Sequence, residues 1–166
     1  NTYLRLADRI LIELNAKHPA ALLGIHDIFE PADPPARQEI PVYAPSDRIG
    51  SPICVVDPKK IAGVVLTDLE DESGGFDEST PVTDQIGQNV ADFLVSEMRA
   101  GRIPPQFLPL QSGVGNIANA VLGALGRSCE VPAFEMYTEV LQDSVIPLLE
   151  QGRCTFASTT ALTLSP

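Results

Sequence analysis

The sequence predicts an α/β fold: a parallel-sheet βαβαβ unit, preceded by a helix and a long proline-rich connector. Three observations predict it. Between Phe107 and Ser158, apolar runs and helical periodicity alternate as strand, helix, strand, helix, strand, the order that gives parallel strands joined by right-handed crossovers. Glycines punctuate the joints, with Gly113 and Gly115 before the first helix, Gly126 after it and Gly152 after the second. Residues 25–53 hold six prolines and little periodicity, which reads as an extended connector.

In chain order, Leu4, Ala7, Leu11 and Leu14 recur at helical spacing and predict an amphipathic helix over residues 2–17. Residues 20–25 form an apolar run that reads as a short buried strand. Short edge strands are expected in the connector around Val42, and a strand end at residues 54–57. A connector this long is unusual inside a compact domain and is expected to lie across another surface. Asp57-Pro58-Lys59-Lys60 forms a turn, Ile61 to Thr67 a buried strand, and Asp68 to Glu78 an acidic solvated loop. Thr80 as N-cap and Pro81 in the first turn open the longest helix. Val82, Ile86, Val90, Phe93 or Leu94, and Met98 mark its core face, and Gly101 and Pro104-Pro105 end it.

A strand over residues 107–111 then runs into Ser112-Gly113-Val114-Gly115. The next helix has Asn116 as its N-cap, Ile117, Val121, Leu122 and Leu125 along one stripe, and its end at Gly126. The second strand covers residues 133–140 and carries Glu139 near its end. Gln142-Asp143-Ser144 opens another helix, with Pro147 in its first turn, and a last strand covers residues 154–158.

At 166 residues the chain suits one domain, or one domain with an appendage. A formal charge of −11 argues against a nucleic-acid or anionic-membrane partner, which would require a positive face. No apolar run is long enough to span a bilayer, and without a basic stretch and apolar run at the start of the sequence there is no expectation of a secretory signal. Cys54, Cys129 and Cys154 are odd in number and show no C-x-x-C spacing, which fits a reduced intracellular compartment. With two histidines and no ligand spacing, no metal site is expected. The start at Asn1 and the stop at Ser-Pro both suggest a piece cut from something longer.

In parallel α/β sheets, ligands sit beyond the carboxyl ends of the strands. Gly113-Val114-Gly115 and Glu139 both fall at such ends and are expected to face one crevice. Glycines let a ligand approach the backbone, and amides at a helix start favour an anion or a developing oxyanion. A tight turn without a ligand is the plain alternative. Gly113 to Ala118 also satisfies G-x-G-x-x-A, so a dinucleotide-binding module with Glu135 or Glu139 on the ribose is a second reading. Glu139 is a solvated strand-end residue or a nucleophile: an ionised carboxylate can form an acyl anhydride. Glu135 shares its face but lies deeper. Asp143 and Ser144 read as helix caps, His26-Asp27 as loop-stabilising, Arg48 as the partner of Asp47 or another acid, and Lys59-Lys60 as a solvated turn.

At these residues a family resemblance emerges. LQSGVGNIANAV, MYTEVLQDS and FASTTALTLS, with the earlier GIHDIFEPADPPARQEIP, SDRIG and AGRIPPQFLPLQSG, resemble the acetyl-CoA hydrolase/transferase family. That family is of the succinyl-CoA:acetate CoA-transferase type, among the class I CoA-transferases. The resemblance implies that Glu139 attacks an acyl-CoA thioester, giving an acyl-glutamyl anhydride and then a glutamyl-CoA thioester. It implies that Gly113, Val114, Gly115 and Asn116 hold the oxyanion and CoA, Val114 foremost. Coenzyme A is then a substrate and no cofactor is required.

Members of the family are much longer, so the chain reads as an internal fragment. Residues 1–60 are expected to end the first domain and supply the connector, and residues 61–166 to begin the catalytic one. The implied partners are an acyl-CoA, a small carboxylate, the remainder of the same enzyme and a second copy in a homodimer. The implied compartment is the cytoplasm, or the mitochondrial matrix in a eukaryote. Some relatives have an arginine where this chain has Asp71-Glu72-Ser73, which leaves recognition of the substrate carboxylate open.

Overall fold

The computed structural model describes residues 2–70 and 79–164. The loop expected over residues 68–78, including Asp71-Glu72-Ser73, therefore falls largely outside the described residues. Contacts divide the chain into two compact units, Asn1–Glu72 and Ser73–Pro166.

The first unit contains a short helix α1 (Thr2–Leu6), β1 (Ile10–Asn15) and β2 (Ile61–Thr67). β1 and β2 form a parallel pair, with Leu11 opposite Gly63 and Leu14 opposite Leu66. The helix expected over residues 2–17 thus stops after Leu6. Its leucines satisfy helical spacing, but Ile10-Leu11-Ile12 is also good strand sequence, and pairing with β2 decides between the two. β2 has the expected limits, and because it pairs with β1 it lies in the first unit.

Residues 20–22 form a single 3-10 turn with no buried residue, in place of the expected strand. Residues 54–57 and the region of Val42 form no strand either. The connector's one ladder contact is an antiparallel bridge between Ile28 and Ser51. With so many prolines lacking an N–H, the connector is held by side-chain bonds to backbone instead. Asp27 accepts from the Ile49 and Gly50 amides, at 3.0 and 2.8 Å. Asp47 accepts from those of Tyr43 and Ala44. Arg48 does not pair with Asp47; its guanidinium donates to the Gly24 and His26 carbonyls. Asp57 caps the turn at Pro58–Lys60, and Lys60 donates to the Arg5 carbonyl.

The second unit contains α2 (Pro81–Arg99), α3 (Asn116–Arg127), β3 (Phe134–Gln142), α4 (Ile146–Glu150) and β4 (Cys154–Thr163). β3 and β4 pair in parallel, with Met136 opposite Ala157 and Thr138 opposite Thr159. On the other side of β3, Leu110 makes a parallel bridge to Met136, its amide donating to Glu135 and its carbonyl accepting from Tyr137. This bridge is all that forms of the strand expected over residues 107–111, because Phe107 turns the backbone to φ 63° just before it. The chain order is therefore the expected βαβαβ, with its first strand reduced to a bridge.

Thr80 caps α2 as expected, in a reciprocal capping box with Thr83, and Pro81 occupies the first turn. The buried stripe is Thr83, Gly87, Ala91 and Val95, one residue round from the bulky stripe anticipated. Val82, Ile86 and Phe93 are exposed, while Leu94 and Met98 pack on the core. The small residues win because α3 approaches closely: a Cβ on Gly87 would lie 2.5 Å from the Ala120 carbonyl oxygen. On α3, Ala120, Leu122, Ala124 and Leu125 are buried, and Ile117 is not.

α3 runs one residue past Gly126. Its last carbonyls are met by Arg153, whose guanidinium donates to Gly126, Ser128 and Val131 at 2.7–3.2 Å. The core gathers Phe107, Val131, Phe134, Met136, Leu141, Val145, Leu148 and Cys154 between these helices and the sheet.

Candidate active site

The site is built where the chain crosses the carboxyl end of β3. Leu110 is level with Met136, so the next residues of the chain reach the level of Thr138 and then leave the sheet. The Thr138 hydroxyl accepts from the Ser112 amide at 3.1 Å and donates to the Ser112 carbonyl at 3.0 Å. The Gln142 side chain donates to the Gly113 carbonyl at 2.8 Å and accepts from the Gly115 amide at 3.3 Å. Both are buried, Thr138 6 % exposed and Gln142 1 %.

Gly115 is the N-cap of α3, at φ 123°, a region glycine enters without a Cβ clash. Asn116, expected as the cap, is the first helical residue, and no side chain caps this end. The opening amides of α3 are thus available, with the positive end of the helix dipole behind them. A Cβ at Gly113 or Gly115 would meet nothing within 4 Å, so the loop is open to an approaching group. Val114 is 62 % exposed at its crest.

Glu139 lies on β3 between the two side chains that hold this loop, one residue after Thr138 and three before Gln142. Burial along β3 alternates, Phe134, Met136 and Thr138 being buried while Tyr137 and Glu139 are exposed. Glu139 therefore belongs to the opposite face from Thr138, with Tyr137 and the half-buried Glu135. Its carbonyl is held from β4 by the hydroxyls of Thr160 at 2.6 Å and Thr159 at 3.0 Å. The threonines of FASTTALTLS thus fix the backbone of the candidate nucleophile.

Of the residues expected as caps, Ser144 acts otherwise. Gln142 precedes a 3-10 turn over Asp143–Val145 without a side-chain cap bond, and the Ser144 hydroxyl donates to Asn119 of α3 at 2.8 Å. Sequence reasoning missed Thr138, Gln142, Thr160 and Arg153 as site or scaffold residues. A glutamine following the apolar Val140-Leu141 at a strand end, opposite a glycine turn, was the available signal. Among the described residues no group of His, Cys, Asp and Glu is arranged to hold a metal ion. No helix among them is long and apolar enough to cross a membrane.

Parallel strands with helical crossovers, and a glycine turn over the carboxyl end of β3, define an α/β fold that a solved CoA-transferase shares. A solved 4-hydroxybutyrate CoA-transferase from Porphyromonas gingivalis matches 98 % of this chain and 33 % of its own, with a TM-score of 0.56 at 18 % identity. A RipA variant matches with a TM-score of 0.57, also at 18 % identity, covering 97 % of this chain and 30 % of its own. No protein-family model matches the chain.

Curated sequences are more similar. A propanoyl-CoA:succinate CoA transferase of Escherichia coli is 47 % identical over 99 % of this chain and 33 % of its own length. An acetyl-CoA hydrolase of Schizosaccharomyces pombe is 40 % identical over 98 % of the chain and 31 % of its own. A succinyl-CoA:acetate CoA-transferase of Clostridium kluyveri is 36 % identical over 99 % and 30 %. The chain belongs to this family of acetyl-CoA hydrolases and CoA-transferases. It spans about a third of the length of the curated relatives it matches. These relatives do not favour the dinucleotide-binding reading of Gly113 to Ala118.

Proposed function

We propose that the protein carrying this sequence moves CoA from an acyl-CoA to a carboxylate, or hydrolyses the acyl-CoA to free CoA and a carboxylate, through Glu139. The observation that supports it best is the bracketing of Glu139 on β3 by two residues that grip the Gly113–Gly115 turn. Attack by the Glu139 carboxylate forms a C–O bond to the thioester carbon. The C–S bond then breaks, the CoA thiolate leaves, and an acyl-glutamyl anhydride remains. The thiolate next attacks the glutamyl carbonyl, expelling the original acyl group as a carboxylate and leaving a glutamyl-CoA thioester. An incoming carboxylate repeats the sequence in reverse, or water hydrolyses the thioester. When Glu139 attacks the acyl-CoA, the negative charge that develops on the thioester oxygen is met by the Val114 amide, beside Gly113, Gly115 and Asn116. One such donor contributes about 3–4 kcal/mol to a comparable step.

The relatives' names support acetyl-, propanoyl- or succinyl-CoA as the class of donor. Coenzyme A acts as substrate, with no further cofactor. The remainder of a longer chain and a second copy complete the active form, and the present 166 residues alone are inactive. A reduced cytoplasm or mitochondrial matrix suits the three free cysteines.

Trapping tests the nucleophile. The full-length protein is incubated with acyl-CoA, digested and weighed peptide by peptide. A CoA adduct on Glu139 is expected, and an adduct elsewhere refutes the assignment. Glu139→Ala is expected to abolish turnover with folding intact; wild-type rates in that variant end the claim.

A further inference from the structure

Thr138 and Gln142 carry no chemistry in that scheme, yet both are buried polar residues that grip one loop, the Thr138 hydroxyl lying 3.0 Å from the Ser112 carbonyl and 3.3 Å from the Val140 carbonyl of its own strand. The Gln142 amide fits one way only: Gly113 presents an acceptor at 2.8 Å and Gly115 a donor at 3.3 Å. Thr138 meets both backbone groups of Ser112. Together they engage the backbone on both sides of Val114. No hydrogen bond engages the Val114 amide itself among the described residues. Packing cannot hold this loop, because its two glycines have empty space where a side chain would stand. The bonds from β3 hold it, and β3 also carries Glu139.

We infer that Gln142, assisted by Thr138, is a positioning clasp for the oxyanion amide. It references the Val114 N–H to the strand that carries the nucleophile, so that donor and nucleophile keep one spacing through the reaction. This rests on the acyl-transfer reading above. Preorganisation is the physical point, since a donor that must find its place during the reaction loses most of its effect. A loop of two glycines does not stay in place unaided.

The test uses the full-length protein that carries this sequence. Gln142→Met removes both bonds at similar length. Thr138→Val removes the hydroxyl at constant shape, and Thr138→Ser restores it. Amide hydrogen exchange of residues 107–116 is measured against the rest of the chain, alongside steady-state kinetics with acetyl-CoA or propanoyl-CoA and succinate.

Faster exchange confined to the loop is expected in Gln142→Met and Thr138→Val. With it, kcat should fall about 10- to 100-fold, the scale of a misplacement near 1 Å. KM for the acyl-CoA should stay within about twofold, because the oxyanion exists only beyond the ground state. Thr138→Ser should recover both readouts.

Unchanged loop exchange overturns the clasp, as does a loosened loop with unchanged kcat. A global loss of protection in Gln142→Met leaves the decision to the Thr138 pair; failure of Thr138→Ser to recover kcat where its fold recovers also overturns it. Should the unmodified protein give neither turnover nor a CoA adduct, the acyl-transfer reading falls and the clasp with it. Should the adduct form normally while both variants keep their kcat, the clasp alone falls.

Discussion

Asp27 shows what a single carboxylate can do in a segment with almost no core. It accepts from the Ile49 and Gly50 amides across the connector, and these two bonds hold its carboxyl below the ordinary value of 3.8, against a smaller opposing effect of desolvation. A group whose pKa is depressed by folding stabilises the fold above its unfolded pKa, and that stabilisation is lost as pH falls through the folded one. The Ile49 and Gly50 amide resonances should therefore titrate with a midpoint below 3.8, and Asp27→Ala should free both amides at neutral pH. A midpoint at or above the ordinary value would contradict this. The sequence suggested a loop-stabilising role for His26-Asp27, but not its partners, which lie more than twenty residues away. The partners of Gln142 and Thr138 were illegible for the same reason, though the place of the glutamine after Val140-Leu141 was a signal. Their meaning is in which backbone groups they meet, and a buried glutamine looks in sequence like any polar residue at a helix start.

At the scale of elements, local signals with local causes were legible and choices between neighbours were not. Thr80-Pro81 announced the start of α2 because capping needs only residues within one turn. The buried face of α2 was misread because bulk is a guide to burial only when the partner is distant. Here α3 is close, and the stripe is Thr83, Gly87, Ala91 and Val95. Gly87→Ala distinguishes the two views by its sign. On an exposed helix, replacing glycine by alanine stabilises by about 1 kcal/mol. At this position the new Cβ would lie 2.5 Å from Ala120 backbone oxygen, which cannot swing aside as a side chain could. The helices must move apart, and overpacking of this kind costs about 1–3 kcal/mol. A urea midpoint lowered at constant m value is expected; a raised midpoint would show that the α2–α3 contact is looser than described. Helical spacing over residues 2–17 failed for a related reason, since β1 forms only because β2, some fifty residues on, is there to pair with it.

At the scale of the whole molecule, the hydrophobic core is unevenly shared. Its cluster runs from Ala91 to Cys154, wholly within the second unit. In the first unit, Ile10 and Pro45 are the only buried residues among those described. Leu11, Leu14, Val64, Val65 and Leu66 of its sheet are exposed. Ile61 to Thr67 has the near-continuous apolar composition of a parallel strand covered on both faces, and for that reason the sequence reading made it buried. A two-stranded sheet without such cover has little to offset the entropy of ordering it. The 166-residue chain in isolation should therefore open first in its first unit. Brief trypsin treatment is expected to cut after Arg37, Lys59 and Lys60 while a fragment containing residues 79–164 survives. Within that fragment Arg153 is protected by the carbonyls it binds, and the core holds the chain on either side of it. Cleavage after Arg153 as fast as after Arg37 would mean that the second unit has no stability of its own, and that the core around Met136 does not suffice to hold β3, its glutamate and its clasped loop together.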